Sequence, residues 1–99
     1  MKIAIPSKSK TKESEIYTRS GRAPYFLIFQ NGEFIKALEN PYAQGEQRGV
    51  GPRVAKLLLE EGVEKVIAQE IGPNMKLFLE DNGVKVEITD RVKVLKVIE

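Results

Sequence analysis

Residues 45 to 53 read GEQRGVGPR and stand directly before the amphipathic stretch VAKLLLEEG. Backbone amides near Gly49 and Gly51, together with the Arg48 side chain, could converge on a negatively charged ligand as an anion nest. The spacing matches neither the P-loop nor the dinucleotide fingerprint, and Pro52 has no amide hydrogen to donate. The alternative interpretation is a flexible connection between a strand and a helix, so other segments must converge here before an anion site is favoured.

Two further stretches carry groups that bind anions. In RSGRAPYF, residues 19 to 26, Arg19 and Arg22 flank Gly21 and could clamp an oxyanion through paired N–H groups. Alternatively, both arginines are solvated or paired with nearby glutamates. In IGPN, residues 71 to 74, Gly72 and Asn74 could bring helix N-terminal amides to the same ligand, although Gly-Pro is also an ordinary helix start.

The chain contains no cysteine and no histidine. Disulfides, thiolate or imidazole metal sites, and Ser-His-Asp or Cys-His nucleophile sets are therefore excluded. The first predicted strand, KIAIPS, carries no acidic residue, which argues against two-metal nuclease chemistry. Catalysis is not expected, and no residue is assigned as a metal ligand.

Composition bounds the class of protein. Ninety-nine residues with 41% hydrophobic content are expected to form a single domain over residues 1–99. The net charge of +2 is too small for a dedicated nucleic-acid binder, although residues 7 to 24 hold five Lys or Arg against two Glu, a net +3.

No apolar run approaches the ~20 residues that span a bilayer, and MKIAIPS does not read as a signal peptide, so a cytoplasmic protein is expected. The many Lys and Glu residues and the missing Cys are compatible with a thermophilic source.

Local patterns predict the elements that position these groups. Asn31-Gly32 is the favoured pair for a two-residue hairpin turn, which would set Phe29 opposite Phe34 and Ile28 opposite Ile35. Apolar periodicity and flanking glycines predict two helices, one after the glycine loop and one from Pro73 onward. Residues 90–98 are predicted as a helix, with a strand as the alternative. The predicted order is β-β-β-α-β-α-β-α, an α/β fold.

This order predicts where the three candidate stretches meet. If the second strand runs antiparallel to the first and the hairpin returns the third, the later strands all run parallel to the first after their helical crossovers. The long basic loop, the glycine loop and the IGPN turn then lie at the carboxyl edge of the parallel strands, where open α/β sheets bind ligands. Both helix N-termini open onto this edge and bring partial positive charge.

The stretches MKIAIPS, RSGRAPYFLIF, ENPYAQGEQRGVGPRVAKLL and EGVEKVIAQEIGPNMKLFLEDNGVKV together resemble the dinitrogenase iron-molybdenum cofactor biosynthesis family, the NifX-like and NifB C-terminal-like domains. The resemblance covers nearly the whole chain. It implies a three-layer α/β/α, ribonuclease-H-like fold with a mixed five-stranded sheet. It also implies a non-enzymatic role in binding or carrying an iron-sulfur or iron-molybdenum cofactor precursor. The matching positions are Arg19, Gly21, Arg22, Ala23, Pro24, Gly49, Gly51, Gly72, Pro73 and Asn74.

The chain departs from this family pattern at ligand-type positions. Ser20 stands where relatives often have Phe, Glu70 where they often have His, and Gln44 and Gln47 near the glycine loop where many carry histidines. With neither His nor Cys, an anionic cluster would be held by arginines, amide N–H groups and helix dipoles.

We therefore expect a binding or carrier module for an anionic metal cofactor or small oxyanion, with proteins of cluster assembly as partners and neither nucleic acid nor a membrane. The expected binding residues are Arg19, Gly21, Arg22, Arg48, Gly49, Gly51, Gly72 and Asn74. Two alternatives remain. One is a protein-interaction or oligomerisation domain without a small ligand. The other is weak single-stranded nucleic-acid binding through the lysine-rich loop, with Tyr17 and Tyr25 as stacking residues.

Overall fold

A mixed five-stranded sheet with helices on both faces organises the chain. The computed structural model describes residues 1–44 and 49–98. The strands are β1 (Lys2–Ser7), β2 (Tyr25–Gln30), β3 (Glu33–Glu39), β4 (Lys65–Ala68) and β5 (Lys85–Ile88). The helices are α1 (Gly51–Glu60), α2 (Pro73–Asp81) and α3 (Leu95–Ile98), and a short 3₁₀ turn spans Ser20–Arg22. The predicted element order is confirmed.

The strand order is β3-β2-β1-β4-β5. β2 is antiparallel to both β1 and β3, whereas β4 is parallel to both β1 and β5. Consequently β1, β3, β4 and β5 all run in one direction, and their carboxyl ends lie at one edge of the sheet. This is the arrangement that the order of elements predicts.

Apolar residues on the two faces of the sheet form two separate cores. On one face, α1 and α2 contribute Val54, Leu58, Met75 and Leu79 to a cluster that includes Phe26 of β2. On the other face, Ile5, Ile16, Leu27, Phe29, Ile67 and Val94 form a smaller cluster, to which Val97 and Ile98 of α3 add. A sheet that is apolar on both faces needs cover on both, and the three layers follow from this.

The β2–β3 hairpin is confirmed, but its predicted register is only half correct. Asn31 and Gly32 have φ angles of 52° and 84°, as a tight turn with two left-handed residues requires. Phe29 lies opposite Phe34, with the ring centroids 5.5 Å apart. Ile28, however, lies opposite Lys36 and not Ile35, because the register shifts between Ile28 and Phe29. The turn fixes only the first pairs, and the extra residue on β3 leaves Ile35 exposed.

The long loop after β1 turns back and is joined to the rest of the fold by isolated β-bridges. The amide of Tyr17 donates to the carbonyl of Pro6 at 3.0 Å, and that of Ile16 donates to the carbonyl of Val92 at 2.7 Å. The amide of Val94 in turn donates to Ser14 at 3.1 Å. Within the predicted C-terminal helix, only residues 95–98 are helical, since Lys93 instead forms a β-bridge with Glu15. No helix in the two described ranges is long and apolar enough to cross a membrane.

Candidate functional site

A pocket of about 380 Å³ lies at the carboxyl edge of the parallel strands, on the face covered by α1 and α2. Three chain segments meet there: the 3₁₀ turn before β2, the start of α1, and the β4–α2 connection. The lining residues are Arg19, Ser20, Gly21, Arg22, Gly49, Val50, Gly51, Pro52, Glu70, Ile71, Gly72, Pro73, Asn74 and Met75. We call this the edge pocket.

The edge pocket brings together most of the residues that the sequence singled out. Arg19, Gly21, Arg22, Gly49, Gly51, Gly72 and Asn74 all line it. The remaining candidate, Arg48, lies outside the described residues, as does Gln47. Arg22 and Gly51 are 29 positions apart in the chain and line the same pocket, as the edge geometry predicts. That these residues bind a ligand stays a prediction.

The N-termini of α1 and α2 touch each other at the edge pocket. A Cβ placed on Gly51 would lie 3.0 Å from the Cβ of Met75 and 3.3 Å from its backbone nitrogen. Within the described ranges, neither helix start is capped by a side chain. The amides of Gly51, Asn74 and Met75 have no acceptor within their own helices, because the first turn of a helix leaves its N–H groups unpaired. Two helix dipoles therefore present partial positive charge to the same space.

The 3₁₀ turn holds the two arginines at the rim of the edge pocket. The amide of Arg22 donates to the carbonyl of Arg19 at 2.9 Å and closes the turn. The Arg22 guanidinium reaches across to the carbonyl of Tyr42 at 3.4 Å, which ties this side chain to the segment after β3. Arg19 forms a parallel β-bridge with Glu70, two residues after β4. The backbone of Arg19 is thus fixed to the segment after β4, and the side chain of Arg22 to the segment after β3.

Two buried polar side chains that the sequence reasoning missed brace this turn. The hydroxyl of Ser20, only 1% exposed, donates to the backbone carbonyl of Glu70. The side-chain amide of Asn40, 4% exposed, donates to the carbonyl of Ala23 at 2.9 Å and to that of Gly21 at 3.2 Å. Its oxygen accepts from the amide of Tyr42 at 3.0 Å. The Asn-Pro pair that follows β3 is a turn signal and was the available clue to Asn40.

The chemistry of the lining suits anion capture better than metal coordination. Its charged groups are Arg19 and Arg22 against Glu70. Across residues 1–44 and 49–98, no three acidic side chains come together as a metal site. Within the described part of the chain, Glu70 and Asn74 supply the only side-chain carboxylate and amide oxygens among the lining residues. N–H donors with a positive field are what a sulfide-rich or oxygen-rich anion requires from its host.

The lysine-rich part of the long loop lies away from the edge pocket. Lys8 forms an ion pair of 2.8 Å with Glu15. Lys10 and Lys12 line a different groove together with Phe34, Leu95 and other residues, on the side of the sheet that α3 covers. Only the distal end of this loop, with Arg19 and Arg22, reaches the edge pocket.

Comparisons with known proteins agree with this fold. The family model "Dinitrogenase iron-molybdenum cofactor" matches residues 1–99. One similar structure is the solution structure of a Thermotoga protein that is provisionally described as NifB and placed in the DUF35 family. The two sequences are 32% identical, and the structures superpose with a TM-score of 0.78. The match covers 98% of this chain and 82% of that one. The apo form of the orange protein from Desulfovibrio gigas has a TM-score of 0.88 at 21% identity, again over 98% of this chain and 82% of that one, and supports the fold. A search of curated proteins gave no match.

Proposed function

The chain belongs to the dinitrogenase iron-molybdenum cofactor family, and on that premise we propose that it binds or carries an anionic iron-sulfur or iron-molybdenum cofactor precursor without catalysing its conversion. The observation that carries this proposal is the edge pocket, in which two arginines and two helix N-termini converge from separate parts of the chain, and no side chain in the described ranges caps either helix. The family description supports this class of cargo, and the lining of the pocket supports its capture.

Capture would rest on hydrogen bonds to the outer atoms of the cluster. The guanidinium groups of Arg19 and Arg22 donate to sulfide, oxide or carboxylate groups at the cluster surface, and such charge-assisted bonds are stronger than neutral ones. The amides of Gly51 and Asn74 add donors that need no movement when the ligand arrives. Since no thiolate or imidazole would bond to the metals, release to a partner protein would not require a metal–ligand bond to break, which suits a carrier.

A non-enzymatic role agrees with the chemistry of the lining. Ser20 is the only hydroxyl-bearing residue that lines the edge pocket within the described ranges, and its hydroxyl is already donated to the carbonyl of Glu70. No imidazole is present to activate it. The groups that remain can hold and orient a ligand.

The proposal is tested by loading the protein under anaerobic conditions. The purified chain is incubated with an isolated iron-molybdenum or iron-sulfur cluster, passed through a gel-filtration column, and assayed for metal and absorbance per chain. We expect the wild type to retain the cluster, and Arg19→Ala and Arg22→Ala each to raise its dissociation constant by about tenfold or more, the equivalent of one charge-assisted hydrogen bond.

Arg91→Ala is the matched control. Arg91 is exposed and does not line the edge pocket, and its assigned hydrogen bonds involve only its backbone. This variant removes the same charge and should bind like the wild type. A folded wild type that elutes without metal contradicts the proposal. Equal losses in all three variants would show a general charge effect and contradict the role of the edge pocket.

A further inference from the structure

β5 ends the sheet on one side and presents hydrogen-bonding groups outward. The amide of Lys85 donates to Glu64 at 3.0 Å and that of Thr89 to Ala68 at 2.9 Å, so these residues direct their N–H groups toward β4. Because peptide groups alternate along a strand, the N–H and C=O groups of Val86 and the N–H of Ile88 point away from the sheet. An edge of this kind is a template for pairing with another strand.

The side chains along β5 are ordered so that two antiparallel copies of the strand would place opposite charges next to each other. The sequence of β5 is Lys-Val-Glu-Ile, with opposite charges on either side of Val86. By alternation, Lys85 and Glu87 lie on one face, and Val84, Val86 and Ile88 lie on the face that α2 covers. Val84 is buried there, but Ile88 at the end of the strand is 56% exposed. An antiparallel neighbour would cover Ile88 and match both charges.

We propose that a second copy of this chain docks on β5, antiparallel, with Val86 opposite its own equivalent. The outward groups of the two Val86 residues then exchange two N–H···O bonds. Lys85 of each copy faces Glu87 of the other, which gives two cross-strand pairs of opposite charge. Ile88 of each copy lies opposite Val84 of the other on the helix-covered face.

The opposite edge of the sheet lacks this symmetry. In β3, the register centred on the middle residue, Lys36, would set Lys36 against itself and Glu33 against Glu39. Like charges directly opposite each other destabilise a strand pair. Lys36 is also engaged with Glu61 of its own chain at 2.7 Å. Charge therefore favours pairing through β5 over the equivalent pairing through β3.

The dimer is a continuous ten-stranded sheet with its two-fold axis perpendicular to the sheet. Opposed residues in an antiparallel pair point to the same face, so the α1–α2 layers of both copies lie on one face. The two β5 strands run in opposite directions, and the carboxyl edges therefore lie at opposite ends of the dimer. Both edge pockets stay open, and the dimer does not depend on the function proposed for them.

Charge reversal tests this register. Sedimentation velocity over a range of concentrations is measured for the wild type, Lys85→Glu, Glu87→Lys and the double variant. We expect the wild type to approach twice the 11.1 kDa chain mass. Each single reversal turns both attractive pairs into repulsive ones and should raise the dimer dissociation constant by about tenfold or more, and the double reversal should restore it. Ile35→Glu on β3 is the control and should leave the dimer intact.

Thermal unfolding separates folding from assembly, because Glu87 also pairs with Lys65 of its own chain at 2.8 Å. Lys85→Glu also sets a carboxylate opposite Lys65 in the β4–β5 register, so the unfolding temperature of every variant is measured alongside its dimer dissociation constant. A wild type that stays monomeric at every concentration overturns the proposal. A dimer that is equally stable in both single variants, or that the double variant fails to restore, also overturns it.

Discussion

Gly51 lies so close to Met75 that the first turns of α1 and α2 form one continuous wall of the edge pocket. A Cβ at Gly51 would be 3.0 Å from the Met75 Cβ, closer than an ordinary van der Waals contact, so a larger residue would require the two helices to move apart by a few tenths of an ångström. The glycine therefore has a structural role in addition to its place in a predicted anion nest. It lets two helix dipoles act on one small volume.

Gly51→Ala is predicted to destabilise the fold by about 1 kcal/mol. The added methyl group must push α2 outward, and overpacking of this kind costs about 1–3 kcal/mol, partly offset by the better helix propensity of alanine. Urea unfolding followed by circular dichroism measures the change. Gly72→Ala is the control for stability, because a Cβ at Gly72 meets no atom within 4 Å. Equal losses in the two variants would contradict the steric explanation.

Ser20→Ala is predicted to cost about 1–2 kcal/mol, since it removes a buried hydrogen bond and leaves the Glu70 carbonyl without this donor. The bond joins the 3₁₀ turn to the end of β4, so the variant should also show faster amide exchange in residues 19–22. Ser9→Ala is the matched control, because the Ser9 hydroxyl has only a 3.5 Å contact with Thr11. Unfolding midpoints that fall equally in both variants would show that Ser20 does not brace the turn.

Asn40→Asp is predicted to lose about 2–3 kcal/mol at neutral pH. The substitution keeps the shape of the side chain but replaces its donor group with a carboxylate oxygen, which would face the carbonyls of Gly21 and Ala23. The loss should shrink in acid, where a protonated carboxyl can donate again. Asn82→Asp is the control, since Asn82 makes an exposed bond to Phe78 at 2.8 Å. A pH-independent difference between wild type and Asn40→Asp would contradict this explanation.

The fold could be predicted from the sequence where one local rule decided the outcome. The Asn31-Gly32 turn set the first hairpin pairs, and the alternation of strands and helices placed described residues of the three candidate stretches at one edge. The register beyond Phe29 could not be predicted, because the bulge depends on how both faces of the hairpin pack. The extent of α3 was also missed, since the bridge between Glu15 and Lys93 draws the preceding residues into extended backbone.

In the candidate site, too, some residues could be predicted from the sequence and others could not. Runs rich in arginine and glycine are unusual enough to be singled out as a candidate site from the sequence. Ser20 and Asn40, in contrast, look like ordinary loop residues. What distinguishes these two is burial beside carbonyl groups that lie far away in sequence, such as Glu70, which is 50 positions from Ser20. Such pairings exist only once the sheet has formed. A one-dimensional pattern therefore identifies the residues that line the pocket more readily than those that support them.

The ion pair between Lys8 and Glu15 gives the last prediction, a dependence on pH. The pKa of the Glu15 carboxyl is lowered, first by its hydrogen bond with Lys8, then by the charge of Lys8, and further by Lys93 at 3.8 Å. A carboxyl whose pKa is lower in the folded state stabilises the fold above its unfolded pKa, and this contribution is lost as the pH falls through the folded pKa. Both side chains are exposed, so salt should weaken the effect.

Titration of the Glu15 carboxyl carbon by NMR measures this coupling directly. Lys8→Ala removes the leading cause and should move the Glu15 pKa upward, toward the ordinary glutamate range, and added salt should move it in the same direction. Lys10→Ala removes an equal charge from the same loop, but no ion pair links Lys10 to Glu15 in the described part of the chain. It should therefore leave the midpoint nearly in place. Equal shifts of the Glu15 titration midpoint in both variants would contradict this explanation. They would show that the total charge of the loop lowers the Glu15 pKa, and that the contact between Lys8 and Glu15 does not persist in solution.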